Sequence, residues 1–202
     1  MLSPDEPYAL KSTTEQNRRI ALLDQPHMAP LSNYLAEIKT DHPRKKLPNF
    51  DPCDGGIHAK VLFLQQSPGR FAANSNFISR NNPDQTARNV CNFMNEVEIA
   101  RHNTIFWNIV PWYIGDDEGV NEVTRHDIEQ ALPYLAGLIE LLPRLKVIAL
   151  SGQKAQSVKG HVQELTKLPI VDVHLPSATP FNVWPHKKDE YREQLKQILG
   201  ML

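Results

Sequence analysis

Four short segments hold side chains suited to chemistry, and each stands where the chain leaves an apolar run. They are Gln66-Ser67-Pro68-Gly69-Arg70-Phe71, Asn108-Ile109-Val110-Pro111-Trp112-Tyr113, Ser151-Gly152-Gln153-Lys154 and His174-Leu175-Pro176-Ser177-Ala178-Thr179-Pro180. In the first, Pro-Gly signals a type II turn. Gly69 would let the backbone approach a ligand closely, while Gln66 and Ser67 offer hydrogen bonds; the plain alternative is an ordinary strand exit. In the third, a glycine opens a helix whose amides and dipole suit an anion, although a tight helix–strand contact at Gly152 accounts for the glycine equally well. His174 can donate, accept or carry a proton, or serve as a satisfied structural histidine.

Other chemistries are disfavoured by what is missing. There is no G-x-x-x-x-G-K-[ST] and no G-x-G-x-x-G, which argues against triphosphate and dinucleotide binding, and no H-E-x-x-H. The eight histidines and two cysteines, Cys53 and Cys91, lack zinc-like spacing, so no metal is expected.

For the four segments to meet, the runs before them must lie side by side. Lys60–Gln65, Thr104–Val110, Lys146–Leu150 and Ile170–Val173 are continuously apolar rather than alternating, as in strands buried on both faces. Helical stretches lie between and after them: one capped by Asp84 and running to about Glu98, then Asp127–Leu142 with Pro133 inside it, Gln153–Leu165 and Lys187–Leu199. Strands alternating with helices predict a parallel α/β sheet, with right-handed crossovers bringing the loops to its carboxyl edge, where such sheets bind ligands. The first 57 residues differ. Glu15–Leu23 and Leu31–Ile38 have helical patterns, and Asp41–Pro48 and Asp51–Gly56 are turn chemistry. They predict a helical and loop extension over 1–57, packed on a domain spanning 58–202.

The 202 residues carry 22 Lys and Arg against 23 Asp and Glu, a net charge of −1, which disfavours a non-specific nucleic-acid coat but not a small basic groove. Arg44-Lys45-Lys46, Arg70, Arg80, Lys154 and His186-Lys187-Lys188 are candidates for such a groove. Sixteen prolines, roughly 8% against a typical ~5%, indicate many ordered loops. No run approaches the ~18 apolar residues of a membrane span, so no membrane partner is expected and a cytoplasmic location is.

In their order and strand-end positions the four segments resemble the uracil-DNA glycosylase superfamily. The resemblance runs from about Ala59 to Leu199. It rests on Gln66-Ser67-Pro68-Gly69 after the first strand, an aromatic some ten residues on (Phe77, with Phe71 the rival), Asn108 at the second strand's end, the glycine-started helix at Ser151-Gly152-Gln153-Lys154, and His174-Leu175-Pro176-Ser177 after the fourth strand. It implies a three-layer α/β/α sandwich around a four-stranded parallel sheet, acting on DNA that contains a damaged base, without metal or organic cofactor. A monofunctional glycosylase would extract the nucleotide at an unstacking cost of a few kcal/mol. Phe77 would stack on the flipped base, with Gln66 beside it, and Asn108 would read the base edge. His174 would stabilise the departing anion, a contribution of ~3–4 kcal/mol at a good site. Pro68, Gly69, Gly152, Lys154, Pro176 and Ser177 would contact the DNA, and Leu175 would wedge into the vacated stack.

Two departures bear on this expectation. Ser67 stands where many members have a water-activating Asp or Asn; a neutral hydroxyl is a poor base near pH 7, so the catalytic part expected of Ser67 is to orient the water. Leu175 also separates His174 from Pro-Ser, with Asp172 two residues earlier available to orient the imidazole. Asp116 and Asp117 read as a solvated turn. The alternatives are a binding module of the same fold without catalysis, and a hydrolase of free nucleosides or nucleotides.

Overall fold

The computed structural model describes residues 6–116, 119 and 121–202; Asp117 lies outside them. The chain begins with α1 (Thr13–Ile20), α2 (Ala29–Asp41) and a two-residue strand β1 (Asn49–Phe50). It continues through β2 (Val61–Gln65), α3 (Arg70–Ser75), β3 (Phe77–Ile78), α4 (Gln85–Glu96) and β4 (Thr104–Asn108). The remainder is α5 (Arg125–Ala131), α6 (Pro133–Glu140), β5 (Val147–Ser151), α7 (Gln153–Gln156), α8 (Lys159–Leu165), β6 (Ile170–Val173), α9 (Ala178–Val183) and α10 (His186–Leu199).

Local chemistry sets most of these boundaries. Ser12 caps α1 by accepting the Glu15 amide, and Asp84 caps α4 by accepting the Ala87 amide at 2.9 Å. Thr124 and Asp127 form a reciprocal capping box at α5. The single helix expected over 127–142 is instead two, because Pro133 has no amide hydrogen to continue the first and begins α6. The stretch 153–165 likewise breaks, at Ser157-Val158.

The architecture is α/β, a four-stranded sheet flanked by helices. Its order is β4-β2-β5-β6 and every pairing is parallel. The inner and β4 strands are buried throughout apart from the half-buried Gln65, as their unbroken apolar composition requires. At the edge, β6 alternates, and Asp172 points outward to Lys159 at 2.8 Å. It therefore does not orient His174.

On one face of the sheet Trp107 stacks on Phe50, with ring centres 3.9 Å apart; on the other Phe63 stacks on Phe106 at 4.9 Å. Met28, Leu31, Leu35 and Ile38 of the amino-terminal part join the same core as the strands. No helix among the described residues is long and apolar enough to cross a membrane.

The segment 51–56 carries more than turn chemistry. Asp51 and Asp54 are buried among Arg19, Arg80 and Arg101. Asp51 receives the guanidinium of Arg19 and, at 2.6 Å, that of Arg101. Asp54 receives Arg101 at 2.9 Å and lies 3.9 Å from Arg80. Arg19 and Arg101 also donate to the side-chain oxygen of Asn81 at 3.0 and 2.7 Å. This network fastens α1 to the turn that carries residues 79–82. A two-residue parallel pairing of β1 with β3, unforeseen in the sequence, holds the other side of that turn.

Candidate functional site

The carboxyl edge of the sheet opens into a cavity of about 380 Å³, within the ~300–1,000 Å³ range of small-ligand sites. Its base follows from strand register. Gln65 of β2 pairs with Asn108 of β4, so the two side chains emerge together on the face that also carries Phe106. The ladder continues past both strands: Ile109 donates to the Gln65 carbonyl at 2.8 Å and Val110 to Gln66 at 3.0 Å. The Gln66–Gly69 loop is thereby joined to the end of β4.

Asn108 is 2% exposed and lines this cavity, yet neither its amide nitrogen nor its amide oxygen has a hydrogen-bond partner. Leaving such groups unmade costs about 1–3 kcal/mol each. A ligand edge presenting one acceptor and one donor would satisfy both.

The opposite wall is the rigid turn from α3 to α4. Asn76, in the left-handed conformation at φ 63°, ends α3. Asn82 then accepts from Ser75 at 2.6 Å and donates to the Phe77 carbonyl at 2.9 Å. Ser79, Arg80 and Asp84 face the cavity from this turn. Arg80 is held by the Thr104 hydroxyl and lies over the Phe106 ring at 5.4 Å. Burial pushes the Asp84 carboxyl above its ordinary range, against the opposing pull of the Ala87 and Thr86 amides.

Of the residues singled out in the sequence, Gln66, Ser67, Pro68, Gly69, Asn108 and Leu175 line the cavity together. Phe77 does not: its side chain is fully buried, and Ile78 takes the wall position. The rival Phe71 lines the mouth and is 45% exposed. His174 also stands apart from the lining, with its Nε2 2.6 Å from Glu190 of α10 and its backbone amide donating to Gln194. The Gly152 amide is engaged by the Val173 carbonyl at 2.9 Å, and Lys154 reaches away to Glu122 and the Val123 carbonyl. Pro176 lends its carbonyl to Asn89 of α4, and Ser177 begins the turn into α9.

Arg80 and Asp84 are the cavity residues whose part here the sequence did not disclose. Arg80 read as one candidate for a basic groove and Asp84 as a helix cap. The apolar signal that marks strands has no counterpart for a charge brought inward by distant partners.

Gly152 has a definite structural task. Its φ is +84°, and a Cβ there would lie 3.0 Å from Leu175 Cβ. Gly152→Ala is expected to destabilise the fold by ~1–3 kcal/mol through backbone strain and to displace Leu175 from the cavity wall. A thermal melt would register a fall of about 2–4 °C per kcal/mol in a chain of this size.

Comparison with known proteins gives a family. The model of the uracil DNA glycosylase superfamily matches residues 52–200. No curated protein matches the chain. Among solved structures, it is similar to the solution NMR structure of a Methanosarcina acetivorans protein provisionally assigned as a uracil DNA glycosylase. The identity is 11% over 76% of this chain and 97% of that one, with a TM-score of 0.46.

Proposed function

The chain belongs to the uracil DNA glycosylase superfamily, and from that premise we propose that it hydrolyses the N-glycosidic bond of a flipped, damaged base in DNA, uracil or a related deaminated base. The observation that carries this reading is Asn108, whose buried amide lacks partners and borders a base-sized space. An amide presents one donor and one acceptor edge-on, which suits the edge of a pyrimidine. Phe71, exposed at the mouth, is the aromatic available to stack on the base; Phe77 is buried and does not line the cavity.

Charge develops on the base as its bond to the sugar breaks, while the sugar becomes oxocarbenium-like. Arg70 and Arg80 line the cavity and provide the positive field that favours a departing anion. His174 would add a donor if its loop moved the imidazole from Glu190 toward the base. The loops carrying Pro68, Gly69, Leu175, Pro176 and Ser177 ring the sheet edge and would meet the strand on either side of the flipped nucleotide.

Base release from labelled oligonucleotides containing uracil, hypoxanthine or xanthine tests this function. Release from one of them supports the reading and identifies the base. Absence of release with sequence-independent, salt-sensitive DNA binding retained would replace it with a binding module. A His174→Ala variant, run alongside, is expected to lose rate only if the imidazole reaches the base.

A further inference from the structure

Hydrolysis at this site needs something to take a proton from water, and Ser67 is poorly suited to it. We propose that Asp84 is the carboxylate that activates the attacking water, an inference that rests on the glycosylase reading above. Among the described residues lining the cavity, Asp84 is the only carboxylate, and no histidine is present.

Its geometry is that of a fixed group. The Ala87 amide holds Oδ1 at 2.9 Å, and the Asp84 backbone amide donates to the Asn82 carbonyl at 2.9 Å. Asn82 is itself locked by Ser75 and Phe77. The carboxylate is thus presented to the cavity from a turn with little freedom, the preorganisation a water-positioning group requires. The unpartnered amide of Asn108 lies on the same cavity, so base and carboxylate would share one enclosure. Partial burial makes the carboxylate more basic than one in water, which favours proton acceptance. Capping α4 does not by itself call for aspartate, because Asn and Ser cap equally well.

In the step, water oxygen bonds to the sugar C1′ and passes a proton to Asp84. The C1′–N bond breaks with its electron pair leaving on the base, opposite Arg70 and Arg80. The base anion then takes up the proton, which restores the carboxylate.

Asp84→Asn and Asp84→Ser separate chemistry from capping. Single-turnover base release, oligonucleotide affinity and melting temperature would be measured for both beside the wild type. Release is expected to fall about 10²–10⁴-fold, while affinity and melting temperature stay at wild-type values. Wild-type release rates in either variant would overturn the role of Asp84 and leave the glycosylase reading in place. A loss of rate that merely follows a loss of folded protein would also overturn it. Failure of the wild type to release any base would remove both.

Discussion

Replacing Asn108 with leucine is expected to stabilise the protein while abolishing base release. In most buried sites an Asn→Leu change breaks hydrogen bonds. Here the amide makes none within the fold, so its desolvation is uncompensated until a ligand arrives. Removing two unsatisfied polar atoms should recover at least about 2 kcal/mol, and leucine, which branches at Cγ as asparagine does, fits the same place beside the cavity. The melting temperature should rise by several degrees at ~2–4 °C per kcal/mol. Release of the recognised base should fall at least ~100-fold, since a site built to hydrogen-bond a polar edge rejects a mismatch strongly. A melt and a single-turnover assay on the same preparation suffice. A drop in stability would mean that Asn108 has partners the fold depends on, and unaltered release would deny it any part in reading the base.

The second large effect is on stability. Asp51 is buried between Arg19 and Arg101, and burial opposes its charge. Arg101 and Arg19, with the Ser79 hydroxyl and the Cys53 amide, outweigh that opposition and hold the carboxyl below its ordinary range. Asp51→Ala leaves two guanidinium groups confined without their shared anion, and breaking such a buried pair costs about 3–5 kcal/mol. A loss of roughly 10 °C in melting temperature follows, with α1 and the 79–82 turn losing protection from amide exchange first.

The two carboxylates of the network respond oppositely to pH. The depressed Asp51 contributes stability above its unfolded value near 4, lost as pH falls through the still lower folded value. Asp54 is pushed up to about 6, chiefly by burial against the pull of Arg101. The folded chain therefore holds that proton more tightly than the unfolded chain, and stability declines as pH rises from about 4 to about 6. Denaturant unfolding on either side of this range should show the decline in the wild type and its absence in Asp54→Asn.

Much of the scaffold was legible in the sequence. Apolar runs located all four strands of the main sheet to within a residue or two; for β2, β4 and β5 burial on both faces leaves no room for alternation, while the edge strand β6 alternates around Asp172. The cap at Asp84 read correctly, since capping is a local event. Ser67, Asn108 and Leu175 share one cavity because strand ends in a parallel sheet converge. Asp51 and Asp54 were not, since Asp-Pro-Cys-Asp-Gly-Gly is indistinguishable from surface turn chemistry until Arg19, Arg80 and Arg101 are brought to it from elsewhere in the chain. Phe77 was misplaced for a similar reason: its pairing with Asn49 across β1 and β3 carries its ring away from the cavity.

The parallel topology also governs how the chain is made. Val61 pairs with Thr104 on one side and Val147 on the other, so no tight turn nucleates the sheet, and long loops must close before any pairing is rewarded. Translation proceeds at about 5–20 residues per second, so β2 emerges several seconds before β5. In that interval Val61-Leu62-Phe63-Leu64 has at best β4 beside it. An open apolar edge of this kind is prone to pair with other chains. Yield of folded protein should therefore depend on growth temperature and on chaperones that shield nascent strands, more than on the stability of the finished molecule. The arrangement that gathers four loops at one edge leaves the central strand half-paired through much of its synthesis.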